Sequence, residues 1–454
     1  MITIVKPKES IDRLWGKQRI SINNTYRMMR YVLRVDYDQK VLLHNVVTGQ
    51  LVVLNEDEAS VLNNLPSQYN QVLKSLVIDH FLVPESFDEH QQVLNLRAIL
   101  KRISDTQQPK SIVHYTILPT TACNARCYYC FEQGIKPVTM TQQTANDLVE
   151  FIESHCDNNR FVRISWFGGE PLVAANRINQ ICKGLQNKGI GYESDITTNG
   201  FLFDEDLADK AVKLWHVKKA MICFDGTEKR YNEIKAYVNP QENPYQRVMR
   251  NIGFLLEREV YVNLRMNFDL NNFYEFSDLV NEANNRFGQS PFLQMRVHPV
   301  VGSYPDHNGK IDHASEAWFT EKIVELGDIT RKAGYMSWHA TELPFMNYKG
   351  CQACDDRSLT IMPQGSFVHC PEHLDDNEIT GNVVEGITNS SLYQSWRIMA
   401  NKDRCIDCEM KPFCFILEKC TSSKSCSYSK ELKNGAKRTM RHFYEIYKDL
   451  NEEG

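Results

Sequence analysis

Apolar positions along this chain change period twice. From Tyr31 the runs YVLRVDY and KVLLHNVVTGQLVVL are rich in β-branched and apolar residues, with Thr48-Gly49 as a turn inside the second, and they predict a small antiparallel sheet. Asn55 can cap a helix over 56–62, and a second helical pattern covers 69–81. The expected product is a winged-helix-like strand-strand-helix-helix module, with KVLLHNVVTGQLVVL supplying an exposed sheet edge. A polar stretch (84–90) and a charged helix (93–103) lead out of it, and SDTQQPK (104–110) is the boundary.

Beyond that boundary strands alternate with amphipathic segments, at 112–118, 161–167, 192–198, 220–225, 260–268 and 292–298. Leu148, Phe151, Ile152 and His155 share one helical face, and Ile178, Ile181, Cys182 and Leu185 share another. Repeated βα units demand a parallel sheet. Six strands make a partial (β/α)6 TIM barrel rather than a closed eight, with chemistry expected where the strands end. From about residue 341 the alternation stops and a cysteine-rich stretch begins. The expected fold class is α/β in three domains: 1–104, 105–340 and 341–454.

Composition narrows the function. The 454 residues are 42% hydrophobic and 24% charged with a net charge of −5, which argues against disorder and leaves no basic excess for nucleic acid. No apolar run approaches a membrane span and the first fifteen residues carry charges, so a cytoplasmic location is expected, with no membrane partner. Fourteen cysteines in a reducing compartment point to metals, clusters or catalysis. Cys156, Cys182 and Cys223 are scattered and expected as core filling; the other eleven fall into two groups.

The first is TTACNARCYYCFEQG, which sets Cys123, Cys127 and Cys130 with three and two residues between them, directly after a strand. Three thiolates can hold three irons of a four-iron cluster and leave one for a chelating small molecule; a zinc site completed by a distant histidine is the plainer alternative. The spacing, with Tyr129 before the last cysteine, resembles the signature of the radical S-adenosylmethionine (radical SAM) enzymes. Three loops at successive strand ends support the resemblance: Gly168-Gly169-Glu170, then Thr198-Asn199, then Asp225-Gly226. The resemblance implies that the glycine-rich loop lies along the methionine amino group of S-adenosyl-L-methionine, that Thr198 and Asn199 face its ribose or methionine, and that a basic residue after Asp225 meets its carboxylate. Lys235 takes that place, where many relatives carry Arg, and Arg265 is a second candidate.

The second group begins at Cys351 and Cys354, with Gly365 and Cys370 after them, and continues through Cys405, Cys408, Cys414, Cys420 and Cys426. It resembles the SPASM extension of radical SAM proteins, which implies two auxiliary four-iron clusters: Cys351, Cys354, Cys370 and Cys420 on the nearer, Cys405, Cys408, Cys414 and Cys426 on the farther. Five residues rather than three separate Cys414 from Cys420, so Cys420 and Cys426 can exchange roles; zinc is again the alternative. His369 and His373 are expected to orient or shield the cluster.

Ahead of such a domain, the amino-terminal module resembles the PqqD-like peptide-recognition element related to the peptide chaperone of quinone-cofactor biosynthesis, which implies binding of a leader peptide as an added strand. Residues 1–35 hold eight Lys or Arg against two acids and would attract an acidic leader. The resemblance as a whole implies an oxidoreductase that uses a 5′-deoxyadenosyl radical to modify a ribosomally made precursor peptide (a RiPP) through thioether or carbon-carbon cross-links, reduced by a flavodoxin- or ferredoxin-type partner. The alternatives are an anaerobic sulfatase-maturating, formylglycine-generating enzyme and, from another class, a non-catalytic iron-sulfur carrier or scaffold.

Overall fold

The computed structural model describes residues 2–8, 12–107, 111–300, 315–335, 343–348, 350–420 and 427–452. They group into two compact units, one of 1–109, 338–351 and 398–454, the other of 110–337 and 352–397. The cysteine-rich third is thus shared between them: Cys354 and Cys370 belong to the second unit, Cys351 and Cys405 through Cys420 to the first.

In the first unit, four antiparallel strands run in the order Thr3–Lys6, Leu51–Leu54, Lys40–Asn45, Val32–Tyr37. Tyr37 pairs with Lys40 across a two-residue turn in which Asp38 and Gln39 both take positive φ, the geometry that matches strand twist in a tight hairpin. The edge expected of KVLLHNVVTGQLVVL is corrected: both of its strands are interior, and among the described residues the sheet ends on Thr3–Lys6 and Val32–Tyr37. Asn55 caps the helix Glu56–Leu62 as expected, in a reciprocal box with Glu58. The helix expected over 69–81 is shorter and broken, a 3-10 turn Gln71–Leu73 running into Lys74–Ile78, and a small sheet of Thr25–Met28, Ser67–Gln68 and Leu82–Pro84 closes around it. The linker helix begins at Glu89, buried and paired with Arg27 at 2.7 Å, and runs to Gln107. The terminal helix Ser427–Glu452 completes this core with Ala436, Met440 and Tyr444, four residues apart on one face.

In the second unit, the six predicted strands form one parallel sheet: His114–Ile117, Phe161–Trp166, Gly191–Thr198, Val217–Cys223, Tyr261–Phe268 and Leu293–Pro299. A seventh strand, Ser358–Ile361, pairs in parallel with His114–Ile117, so regular structure continues past residue 341, and a short antiparallel extension follows it. Side chains alternate along each strand. On Tyr261–Phe268, Val262, Leu264, Met266 and Phe268 pack into the helix-covered core, which turns Asn263, Arg265 and Asn267 to the opposite face. That face carries the site.

Candidate active site

The first cysteine loop leaves strand His114–Ile117 and folds back on itself. Thr120 bridges to Thr139, and the Thr121 hydroxyl reaches the Lys136 carbonyl at 2.9 Å, closing a loop that holds Cys123, Cys127 and Cys130. Gly168 and Gly169 clamp it. A Cβ on Gly168 would lie 2.3 Å from the Thr120 carbonyl, and one on Gly169 would lie 2.5 and 2.6 Å from the carbonyls of Thr121 and Ala122. Glycine is required here so that two backbones can touch. Glu170 is fully buried and takes three donors from its own chain: the Thr198 hydroxyl at 2.8 Å, the Asn199 amide at 2.8 Å and the Leu172 amide at 3.0 Å. Its carboxylate therefore ties the glycine loop to the end of the third strand. Asn199 then donates through Nδ2 to the Asn124 side chain at 2.7 Å, beside Cys123.

The other side of the cysteine loop rests on a buried polar cluster. Tyr129 donates to Asp225 Oδ2 at 2.6 Å, Lys235 Nζ stands 2.6 Å from the same oxygen and 3.0 Å from the Tyr129 hydroxyl, and Asn267 donates to both Tyr129 and Asp225 at 3.0 Å. Burial works against the Lys235 ammonium, but Asp225, Cys127 and Tyr129 outweigh it and hold its pKa well above the ordinary value. Asn272 fixes the backbone of Asp225 and Asn267, and Tyr128 hydrogen-bonds Asp269. Asn267, Asp269 and Asn272 escape sequence reasoning; their signal is the run NFDLNN at the end of the fifth strand.

Burial pushes the thiols of Cys123, Cys127 and Cys130 each up to about 11, while Lys235 draws all three down. Such thiols keep their protons until a metal displaces them. The set fits an iron-sulfur cluster: three sulfurs on one loop, a buried cation to offset their charge, apolar and aromatic neighbours, and a buried Asn124 amide hydrogen donor without a partner next to Cys123. Among the described residues no three His, Cys, Asp or Glu side chains stand close enough to hold one ion. In a four-iron cluster each thiolate binds a different iron, which sets the sulfurs farther apart.

The other predicted residues lie elsewhere. Cys182 is buried in the core as expected, whereas Cys156, at the C-terminus of a helix, and Cys223 are only half-buried, and Cys223 shares the site face with Arg265, its register partner. Cys354 and Cys370 sit on loops joined by His369, whose Nδ1 is 2.9 Å from the Ala353 carbonyl. Its ring stacks on Trp396, and the His373 ring packs edge-on against the same indole. In the first unit, Cys405, Cys408 and Cys414 surround buried Lys411: burial lowers its pKa and the three sulfurs raise it. Arg97 of the linker helix holds that loop through the carbonyls of Lys411, Pro412 and Cys414. Cys351 and Cys420 are half-buried in this unit, and Cys426 lies outside the described residues.

The Radical SAM superfamily model matches residues 117–279, from the first strand through the fifth. The chain carries a radical SAM domain, which implies S-adenosylmethionine and a four-iron cluster. The radical SAM cyclopropyl synthase TigE of Paramaledivibacter caminithermalis is 23% identical over 433 residues, 86% of each chain. GTP 3′,8-cyclase of Actinobacillus pleuropneumoniae serotype 7 is 25% identical over 163 residues, 34% of this chain and 44% of that one. Among solved structures, anSMEcpe with bound AdoMet has a TM-score of 0.56 at 16% identity over 73% of this chain and 98% of that one. Streptococcus suis SuiB bound to S-adenosylmethionine has a TM-score of 0.51 at 16% identity over 86% and 94%. At these identities the structural likeness is one of fold. By sequence the chain is related to radical SAM enzymes, a cyclopropyl synthase among them. No helix among the described residues is long and apolar enough to cross a membrane.

Proposed function

We propose that this chain is a radical SAM peptide maturase. The observation that carries the proposal is the convergence on one sheet face of the three-cysteine loop, the Gly168-Gly169-Glu170 clamp, Thr198-Asn199 and the Tyr129-Asp225-Lys235 cluster. In this reading Cys123, Cys127 and Cys130 hold the cluster at the C-terminal edge of a partial (β/α)6 barrel. Gly168, Gly169, Thr198 and Asn199 line the cofactor pocket, with Glu170, Asp225 and Lys235 fixing its walls. When bound, the cluster and S-adenosylmethionine supply a carbon radical able to take hydrogen from an unactivated C–H bond. The chain's own contribution is to orient that bond, exclude water and hold the Lys235 charge beside the thiolates.

Cys351, Cys354, Cys370, Cys405, Cys408, Cys414 and Cys420, in a SPASM-type arrangement, would hold two auxiliary clusters, with Cys426 completing the farther set. The amino-terminal module would act as a winged-helix-like, PqqD-like recognition element that adds a leader peptide at the edge strand Val32–Tyr37, the longer of the two strands on which its sheet ends among the described residues. SuiB is known bound to its precursor peptide SuiA, and anSMEcpe to a Cp18Cys peptide. TigE, a cyclopropyl synthase, favours carbon-carbon bond formation over a thioether here. A flavodoxin- or ferredoxin-type protein would supply electrons.

The test is anaerobic. Reconstituted protein should bind about twelve irons per chain for three four-iron clusters and release 5′-deoxyadenosine from S-adenosylmethionine under reduction. Two or three zincs in their place, with no nucleoside released, would refute the proposal.

A further inference from the structure

Below the level of Asp225 and Asn267, the site face carries a second polar row. Parallel register pairs Cys223 with Arg265 and Arg265 with Arg296, so the two guanidiniums spring from adjacent positions on neighbouring strands. The row lies two residues before Asp225 and Asn267, about 6–7 Å nearer the N-terminal ends of the strands. Burial first, then the neighbouring Arg265 charge, lowers the pKa of Arg296.

Neither arginine has a carboxylate partner among the described residues. The Nε atoms of both are buried without a hydrogen-bond acceptor, and Arg296 spends one terminal nitrogen only on the Met221 sulfur, at 2.8 Å. One position further down the same face, the buried Asn263 Oδ1 is also without a partner. The acids on this face are engaged: Asp225 by Lys235, Tyr129 and Asn267, and Asp195 by Ser165 at 3.0 Å in the register row of Lys219. A buried polar group left unpaired is costly, and more so if charged, so two like charges held side by side without an anion are a feature that a ligand would relieve. Lys235, by contrast, is already neutralised within the chain.

We propose that Arg265 and Arg296 together form a carboxylate-binding fork for an acidic residue of the peptide that enters the site. Guanidinium forks match carboxylates through paired N–H bonds, and two of them select strongly against the neutral amide isostere. The identity of the carboxylate as the peptide's rests on the peptide-maturase reading; the fork itself rests on the register and the orphaned donors. The fork thereby sets which residue of the substrate is anchored beneath the reacting C–H bond.

The experiment compares the capped tripeptides acetyl-Gly-Glu-Gly-amide and acetyl-Gly-Gln-Gly-amide, titrated into the full-length, cluster-loaded protein with S-adenosylmethionine present. The Glu peptide should bind at least tenfold more tightly. R265Q and R296Q should each abolish that preference, R265K should restore part of it, and all three should keep the parent's circular dichroism. Equal binding of the two peptides by the parent overturns the proposal. A preference that survives in R265Q and R296Q does the same, and loss of S-adenosylmethionine affinity in step with the peptide would reassign the fork to the cofactor's carboxylate. Because binding is read without turnover, a protein that prefers the Glu peptide but never releases 5′-deoxyadenosine would refute the radical chemistry and leave the fork standing.

Discussion

Lys235 Nζ lies 2.6 Å from Asp225 Oδ2, with 2% and 0% of the two side chains exposed. One residue ends a helix and the other follows a strand, and their ion pair, shared with Tyr129, binds the cysteine loop to the sheet.

Removing one partner of that pair strands the other charge in a dry site. K235M should cost about 3–5 kcal/mol, and the double variant K235M/D225N should recover much of the loss. Urea unfolding of the two single variants and the double variant measures the coupling; additive losses would show that the pair is not what holds the loop.

The glycine clamp makes a steric prediction. G169A puts a methyl group against two backbone carbonyls that no rotamer can move, so about 1–3 kcal/mol of stability should be lost along with cluster retention. G189A makes the comparison, since nothing lies within 4 Å of where its methyl group would stand and only its φ of +66° opposes the change. Thermal unfolding and iron content should both fall further for G169A.

Glu170 makes a pH prediction. Burial raises its carboxyl from 4.5 to about 7 despite three donors. The fold therefore binds the proton more tightly than the unfolded chain, so its contribution is full below 4.5 and is lost as pH rises through 7. The stability difference between parent and E170Q, followed by urea unfolding, should shift against the parent by on the order of 3 kcal/mol across that window. A shift in the other direction would mean that the three donors, not burial, set the carboxyl.

Metal content can be dissected group by group. C127A should remove about four irons and all 5′-deoxyadenosine release, whereas C414A should remove about four irons and leave S-adenosylmethionine cleavage measurable. Iron analysis with electron paramagnetic resonance of the reduced protein distinguishes the two; loss of every cluster in C414A would contradict independent sites.

The terminal helix should be indispensable to the first unit. Ala436, Met440 and Tyr444 are buried in its core, so M440A should cost about 2–5 kcal/mol and a chain ending at residue 426 should expose that core. Hydrophobic-dye binding and protease sensitivity of the strands within 32–54 would report it.

Much of this chain is legible in one dimension because its signals are local. The alternation of strands and helices follows from side-chain period, Asn55 caps its helix through atoms three residues away, and Cys123, Cys127 and Cys130 share one loop by spacing alone. What the sequence hides is long-range pairing. Nothing near Val32 announces that it ends a sheet, because an edge is defined by which strand is missing beside it. Arg265 and Arg296 are thirty-one positions apart and become neighbours only through parallel register. Asn267 joins Tyr129 and Asp225, and the last helix completes the first module's core, for the same reason: a buried charge or an apolar face is satisfied by whichever group the folded chain brings to it, and local period carries no record of that partner.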